Sequence, residues 1–260
     1  MIRTNAINKV GFGSKSISAE WLVVRYFLIS LSISIVLRSN TAAVDGFIAE
    51  LGNVSAALAS GKGFADVFGD ASGPTAWCPV LNVVCYALVF KIFGIKSVAA
   101  FWALITFRCL LFSVALWWLL KLEYAPNFDP YKICLFPIFL CYTTLVIYRT
   151  GPKDSMFSIF LSVFTIYVLV GCWRDGINNH RIALFILAIL LPLASITLAI
   201  GVVILLTAMF LMQKSQINSR SISVAAITLL LMTLSFGWWG LSNQARLGPV
   251  SYTHLRAHET

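Results

Sequence analysis

Six stretches of this chain are too apolar to sit in water and too long to be strands. They lie at about 21–37, 98–120, 132–148, 155–173, 182–212 and 222–241. Each approaches or exceeds the ~20 residues a helix needs to cross a bilayer. None alternates apolar and polar side chains as a barrel strand does. In hydrocarbon every backbone N–H and C=O must be satisfied, and within one short segment only a helix does this. The expected fold class is therefore all-α, a polytopic transmembrane helical protein. Composition agrees. The chain is 59% hydrophobic and 11% charged, whereas a soluble globular chain carries roughly 25% charged residues. An ordinary soluble domain and a disordered chain are both excluded.

The 182–212 run exceeds one span at ~1.5 Å per residue. Ser195, Ile196 and Thr197 near its middle predict two short helices joined by a tight turn. A further run, 78–93, is short and contains Asn82 and Lys91, a length shared by short spans and interfacial helices. Charge arbitrates. With 78–93 outside the membrane and the N-terminus cytoplasmic, the segments 1–20, 121–131, 174–181 and 213–221 hold Lys and Arg on the inside. Asp45, Glu50, Asp66, Asp70 and Asp154 then fall outside. This satisfies the positive-inside rule better than a spanning 78–93, although Arg38, Lys91 and Lys96 on the outside count against it. About seven spans are expected, with a large external first loop, 39–97, containing interfacial helices.

The same rule accounts for the net charge of +9. No cluster of Lys and Arg with interleaved aromatics suggests nucleic acid as a partner. The first apolar run has no cleavage site before it and reads as an uncleaved anchor. The six cysteines mostly lie in apolar runs without a CxxC pair, as small core residues do. Arg108 falls deep in a span, where charge is costly and usually paired or functional. Arg25, near a span's cytoplasmic end, is expected to snorkel.

The last residues, 250–260, read VSYTHLRAHET. They resemble one translated frame of a transposase adapter used in sequencing libraries, and are expected to be a non-native tail. His254 and His258 go with them, leaving His180, expected to be solvated, as the native histidine. Residues 1–249 are then expected to be the N-terminal part of a longer protein, and the piece alone to be inactive unless the missing part is dispensable.

The densest chemistry lies in the first loop. Residues 45–60 pattern as an amphipathic helix, with Phe47, Leu51, Val54 and Leu58 on one face and Gly61 and Gly63 ending it. Lying on the surface, it would hold Asp45 and Glu50 near the lipid–water boundary. There a carboxylate can deprotonate a hydroxyl or bind a cation; solvated surface acids are the plainer reading. Trp77 alone reads as an interfacial anchor. A second loop, RTGPKD at 149–154, sets Arg149, Lys153 and Asp154 between two spans, either as a charged turn or as convergent charge for a phosphate or cation.

The stretch GKGFADVFGDASGPTAWCPVL followed by FKIFGI resembles the first external loop of GT-C superfamily glycosyltransferases, membrane enzymes related to protein O-mannosyltransferases and aminoarabinose transferases. Gly61, Gly63, Phe64, Gly73–Trp77, Pro79, Phe90, Lys91 and Phe93–Ile95 match that family's pattern; Asn82-Val83 replaces its Tyr-Pro. FGWWGLSNQARLGP resembles a diverged later segment in which Trp239, Asn243 and Gly248 align, and it also reads as an aromatic belt followed by a loop.

The resemblance implies transfer of a hexosyl or pentosyl unit from a polyprenyl-phosphate donor to a hydroxyl on a glycan, lipid or protein, outside the plasma (inner) membrane and with inversion. It makes Glu50 the first candidate for catalytic base and Asp45 the second. Lys62, Trp77, Arg149, Lys153 and Asn243 become candidate substrate contacts. Relatives differ in using a divalent cation; this chain offers Glu50 and Asp154 to magnesium or manganese. The sugar, the acceptor and the oligomeric state are not legible. A secondary transporter or lipid flippase is the competing expectation; it predicts repeat symmetry and helices broken at the midplane, and no repeat pair is present.

Overall fold

The computed structural model describes residues 19–38, 50–69, 72–75, 78–123, 155–212 and 219–247. Within them the chain forms α1 (Ala19–Arg38), α2 (Glu50–Ala59), α3 (Val80–Phe93), α4 (Val98–Glu123) and α5 (Ser155–Asp175). A 3-10 turn (Ile177–His180), α6 (Arg181–Ala194), α7 (Ile196–Met212) and α8 (Ser219–Leu247) follow. One isolated antiparallel bridge, Ala65 with Pro74, is the only extended pairing among the described residues. Among the described residues four helical stretches are long and apolar enough to cross a membrane: Val98–Leu122, Phe157–Asp175, Ile177–Ala194 and Ser219–Ala245. The 132–148 run lies outside the described residues.

The helices leave many large aliphatics on their outer faces, as lipid-solvated helices do, and α1 meets α4 through small residues. On α1, Ser30 and Ser34 are buried while Leu28, Ile29 and Val36 are more than half exposed. Ser30 and Ser34 return their hydroxyl protons to carbonyls one turn back, Tyr26 O at 2.6 Å and Ser30 O at 2.8 Å. Ser34 Oγ then lies 4.0 Å from Cys109 Sγ on α4. Two small residues thus let α1 approach α4 with no polar atom left in the apolar contact.

Two apolar clusters organise the rest. One gathers α2, α3, α4 and the start of α5; the other gathers α5 to α8; Phe157 and Phe160 pack against both. α4 and α5 run parallel, because Phe107 meets Phe157 and Trp118 meets Phe164 further along both helices. α6 and α8 are also parallel. Asn178 Nδ2 donates to Ser221 Oγ at 3.4 Å just before α6, and Ser235 Oγ donates to Ile189 O at 2.9 Å further on. Parallel neighbours require the chain to travel back between them, and α7 lies on that return.

The corner is a single residue. Pro192 removes one helical donor and crowds the carbonyl four residues back. Ser195 is extended (φ −165°, ψ 117°). Its N–H ends α6 on Leu191 O at 2.7 Å, while its Oγ accepts the Leu198 N–H at 3.4 Å and caps α7. The expected break in the long run is therefore present, at Ser195.

At the other end of α6, His180 is not solvated as expected. The His180 side chain is 21% exposed and its Nε2 is 3.5 Å from Asp175 Oδ2. Arg174 grips the same carboxylate through Nε at 2.7 Å and Nη2 at 2.8 Å. The imidazole lies on Gly171, where a Cβ would come within 2.5 Å of Cε1. Gly to Ala inside a helix ordinarily stabilises by roughly 1 kcal/mol, but overpacking costs about 1–3 kcal/mol. Gly171→Ala is therefore expected to lower the melting temperature, and in a His180→Ala background to raise it. A fall in both backgrounds would show that something other than the imidazole needs the space.

Candidate functional site

The first-loop motif folds back on itself beside α2. Leu51 and Val54, two of the expected apolar face, are buried under α2, as are Gly52, Ser55 and Ala57; Leu58 is half-buried. Gly61 (φ 83°) and Gly63 (φ 79°) then turn the chain through conformations open to glycine. The Asp66 N–H donates to Gly73 O and the Thr75 N–H to Phe64 O, both at 2.9 Å. The GKGF and GPT parts of the motif are thus two arms of one small loop, which accounts for their spacing.

That loop, α2 and the α3–α4 junction enclose a cleft of about 290 Å³. Asn53, Ser60, Lys62, Asp66, Ile95 and Lys96 line it. Lys62 Nζ is 3.2 Å from Asp66 Oδ2. Asn53 bridges the walls: Nδ2 donates to Val67 O at 3.1 Å, and Oδ1 accepts from Lys96 Nζ at 2.7 Å. Asp66 is buried at 8% exposure.

Phe64 connects this loop to the C-terminal part of α8. Its ring meets Trp239 edge-on, with centroids 5.0 Å apart. Two segments singled out separately in the sequence are therefore in contact. Asn243 follows Trp239 by one helical turn, and its Oδ1 is buried with no hydrogen-bond partner among the described residues. A buried acceptor left in that state is costly unless something else supplies a donor.

Of the expected site residues, Lys62 lines the cleft and Asn243 lies one turn from the Phe64–Trp239 contact. Glu50 is exposed at the first position of α2. Roughly 13 Å of helix separates it from the Lys62 end at ~1.5 Å per residue. It stands one turn before Asn53, on the flank of the face that the cleft uses. Asp45, Trp77, Arg149, Lys153 and Asp154 lie outside the described residues. Among the described residues no three His, Cys, Asp or Glu side chains are placed to hold a metal ion. None of the described cysteines, Cys78, Cys85, Cys109 and Cys172, is in a disulfide.

Asn53, Asp66 and Lys96 were not singled out as site residues from the sequence. Lys96 did carry a signal, as a basic residue on the side that positive-inside sorting leaves acidic. Asn53 sits on the polar face of the amphipathic helix three residues after Glu50. Asp66 had no distinguishing pattern.

Comparison of the chain with protein-family models, with curated protein sequences and with solved structures gives no match.

Proposed function

We propose that this chain is an integral-membrane glycosyltransferase of the GT-C type, moving a hexosyl or pentosyl unit from a polyprenyl-phosphate donor to a hydroxyl acceptor outside the membrane, with inversion. The observation that carries the reading is the Phe64–Trp239 contact. Two stretches that resemble the family separately, far apart in sequence, meet beside a cleft lined by lysine, aspartate and asparagine.

In this reading the loop acid, Glu50 or else Asp45, takes the proton from the acceptor hydroxyl. The hydroxyl oxygen attacks the anomeric carbon as the bond from that carbon to the donor phosphate oxygen breaks. Lys62, with Arg149 and Lys153, balances the charge on the departing phosphate. Trp77 and Asn243 contact the substrates.

The reading takes the chain as seven spans in the plasma membrane with a cytoplasmic N-terminus. Sidedness has one structural support. Asn178 meets Ser221 near the start of α8, and Phe64 meets Trp239 near its end. Roughly 27 Å of helix separates these levels at ~1.5 Å per residue, close to the ~30 Å hydrocarbon core. If α3 crossed the bilayer, chain parity would bring residues 174–181 to the same side as Phe64. A surface-lying α3 keeps the two apart, as α8 does. The break at Ser195, which a transporter would place at the midplane, fits a hairpin corner between α6 and α7, whose return lets α6 and α8 run parallel.

A photoreactive polyprenyl-phosphate sugar is expected to label residues 60–66 and 239–243 saturably, and the Phe64→Ala/Trp239→Ala protein is expected to lose that label. Labelling confined to the lipid-facing side of α1 or α7 would overturn the reading.

A further inference from the structure

The cleft beside α2 holds both non-glycine residues with positive φ in the described chain, Asp66 at 62° and Lys96 at 52°. The left-handed region crowds a Cβ against the following carbonyl oxygen, so lysine adopts it only where surrounding structure enforces it. At Lys96 the enforcement is visible. It lies between the Gly94 turn that ends α3 and Ser97, whose Oγ accepts the Ala100 N–H at 3.0 Å and caps α4. The result is to place a half-buried ammonium in the cleft wall.

Among the described residues that ammonium is held by an uncharged partner. Its hydrogen bond goes to the uncharged Asn53 Oδ1 at 2.7 Å, and the other side of that amide is committed to Val67 O, so the oxygen must face the lysine. Among the described residues one carboxylate lines the cleft, Asp66, and Lys62 lies 3.2 Å from it. Among the described residues no acid pairs with Lys96. A lysine has three donors, and among the described residues one of them is committed. Among the described residues the cleft carries two cations against one anion, and the N-terminal end of α4 adds a positive partial charge beside Lys96. We infer that Lys96 anchors a phosphate group in this cleft. Lysine binds phosphate as a point charge on its oxygens. A volume of about 290 Å³ is at the small end of ligand sites. It admits a phosphate with a sugar- or glycerol-sized substituent and excludes an acyl chain, for which the exposed Ile95 at the rim offers an apolar exit.

The inference rests on the proposed reading, whose donor carries a phosphate, and adds the residue that holds it; because it is tested by binding alone, its failure is distinguishable from a failure of sugar transfer. The purified chain in a maltoside detergent would be titrated with inorganic phosphate and, separately, with dihexanoyl phosphatidate, following the melting temperature. The wild type is expected to be stabilised saturably by at least one of them. A response to phosphate marks a soluble ester as the source; a response to phosphatidate alone marks a lipid headgroup. Lys96→Arg should retain the response. Lys96→Asn should weaken binding at least tenfold while melting no lower than the wild type, because asparagine tolerates the left-handed backbone. Lys96→Gly, which tolerates it better still, repeats the test should the asparagine protein fail to fold. A wild type stabilised by neither probe, or a neutral variant that responds as the wild type does, overturns the site.

Discussion

Glu50→Gln is expected to slow sugar transfer to a membrane acceptor by roughly 10²–10⁴-fold, the usual contribution of a positioned general base. The donor KM should hold, because the acid acts on the acceptor. The fold should also hold. Glu50 is exposed at the first position of α2, where a negative charge on the helix dipole is worth about 0.3–1 kcal/mol, and glutamine preserves its shape. Two companions give the result its meaning. Asp45→Asn is expected to leave the rate within a fewfold of wild type; a larger loss there than at Glu50 moves the base to Asp45. Asp66→Asn removes the carboxylate that holds Lys62 at 3.2 Å and should raise the donor KM more than it lowers kcat. Transfer unchanged in both Glu50→Gln and Asp45→Asn would sink the assignment of a loop acid as base.

What could be read from the sequence follows a physical divide between local and long-range determinants. The spans are local, so the runs at 98–120, 155–173 and 222–241 became α4, α5 and α8 with ends shifted by a few residues. The corner at Ser195 was also legible, because a serine that caps one helix and ends another interrupts a long apolar run. The same holds for α2, whose three-and-four spacing identified Leu51 and Val54 as its buried side. The cleft was not legible. Asn53 and Lys96 are joined by a hydrogen bond across most of the first loop, and no periodicity links an amide in one helix to a lysine in a later turn. The Phe64–Trp239 contact is of the same kind: each residue stood out within its own segment, and only folding the spans together pairs them. His180 was misread for a related reason. Its position beside Arg181 suggests a wet turn, but the glycine that seats its ring is a full helix end earlier, at Gly171.

Trp118→Ala is expected to be among the most damaging single changes in the described helices, at about 2–3 kcal/mol. The ring stacks on Phe164 at 4.3 Å and tilts against Phe160 at 5.0 Å, with Tyr167 at 6.1 Å, so one side chain touches three positions along a single face of α5. In water much of its burial energy would come from area removed from solvent. In a bilayer that term falls away, because lipid tails are as apolar as the protein interior, and packing remains. Aromatic pairs of this geometry contribute about 0.5–1.5 kcal/mol each, and the vacated volume adds a cavity cost. Lipid entering the space limits it, since Trp118 is only half-buried. Trp173 on α5, 48% exposed, should lose no more than about 0.5 kcal/mol on the same truncation. Unfolding in denaturing detergent would measure both. A double-mutant cycle with Phe164→Ala is expected to give about 1 kcal/mol of coupling. Equal losses at Trp118 and Trp173, or no coupling to Phe164, would mean that α4 and α5 are held together by something other than this aromatic seam.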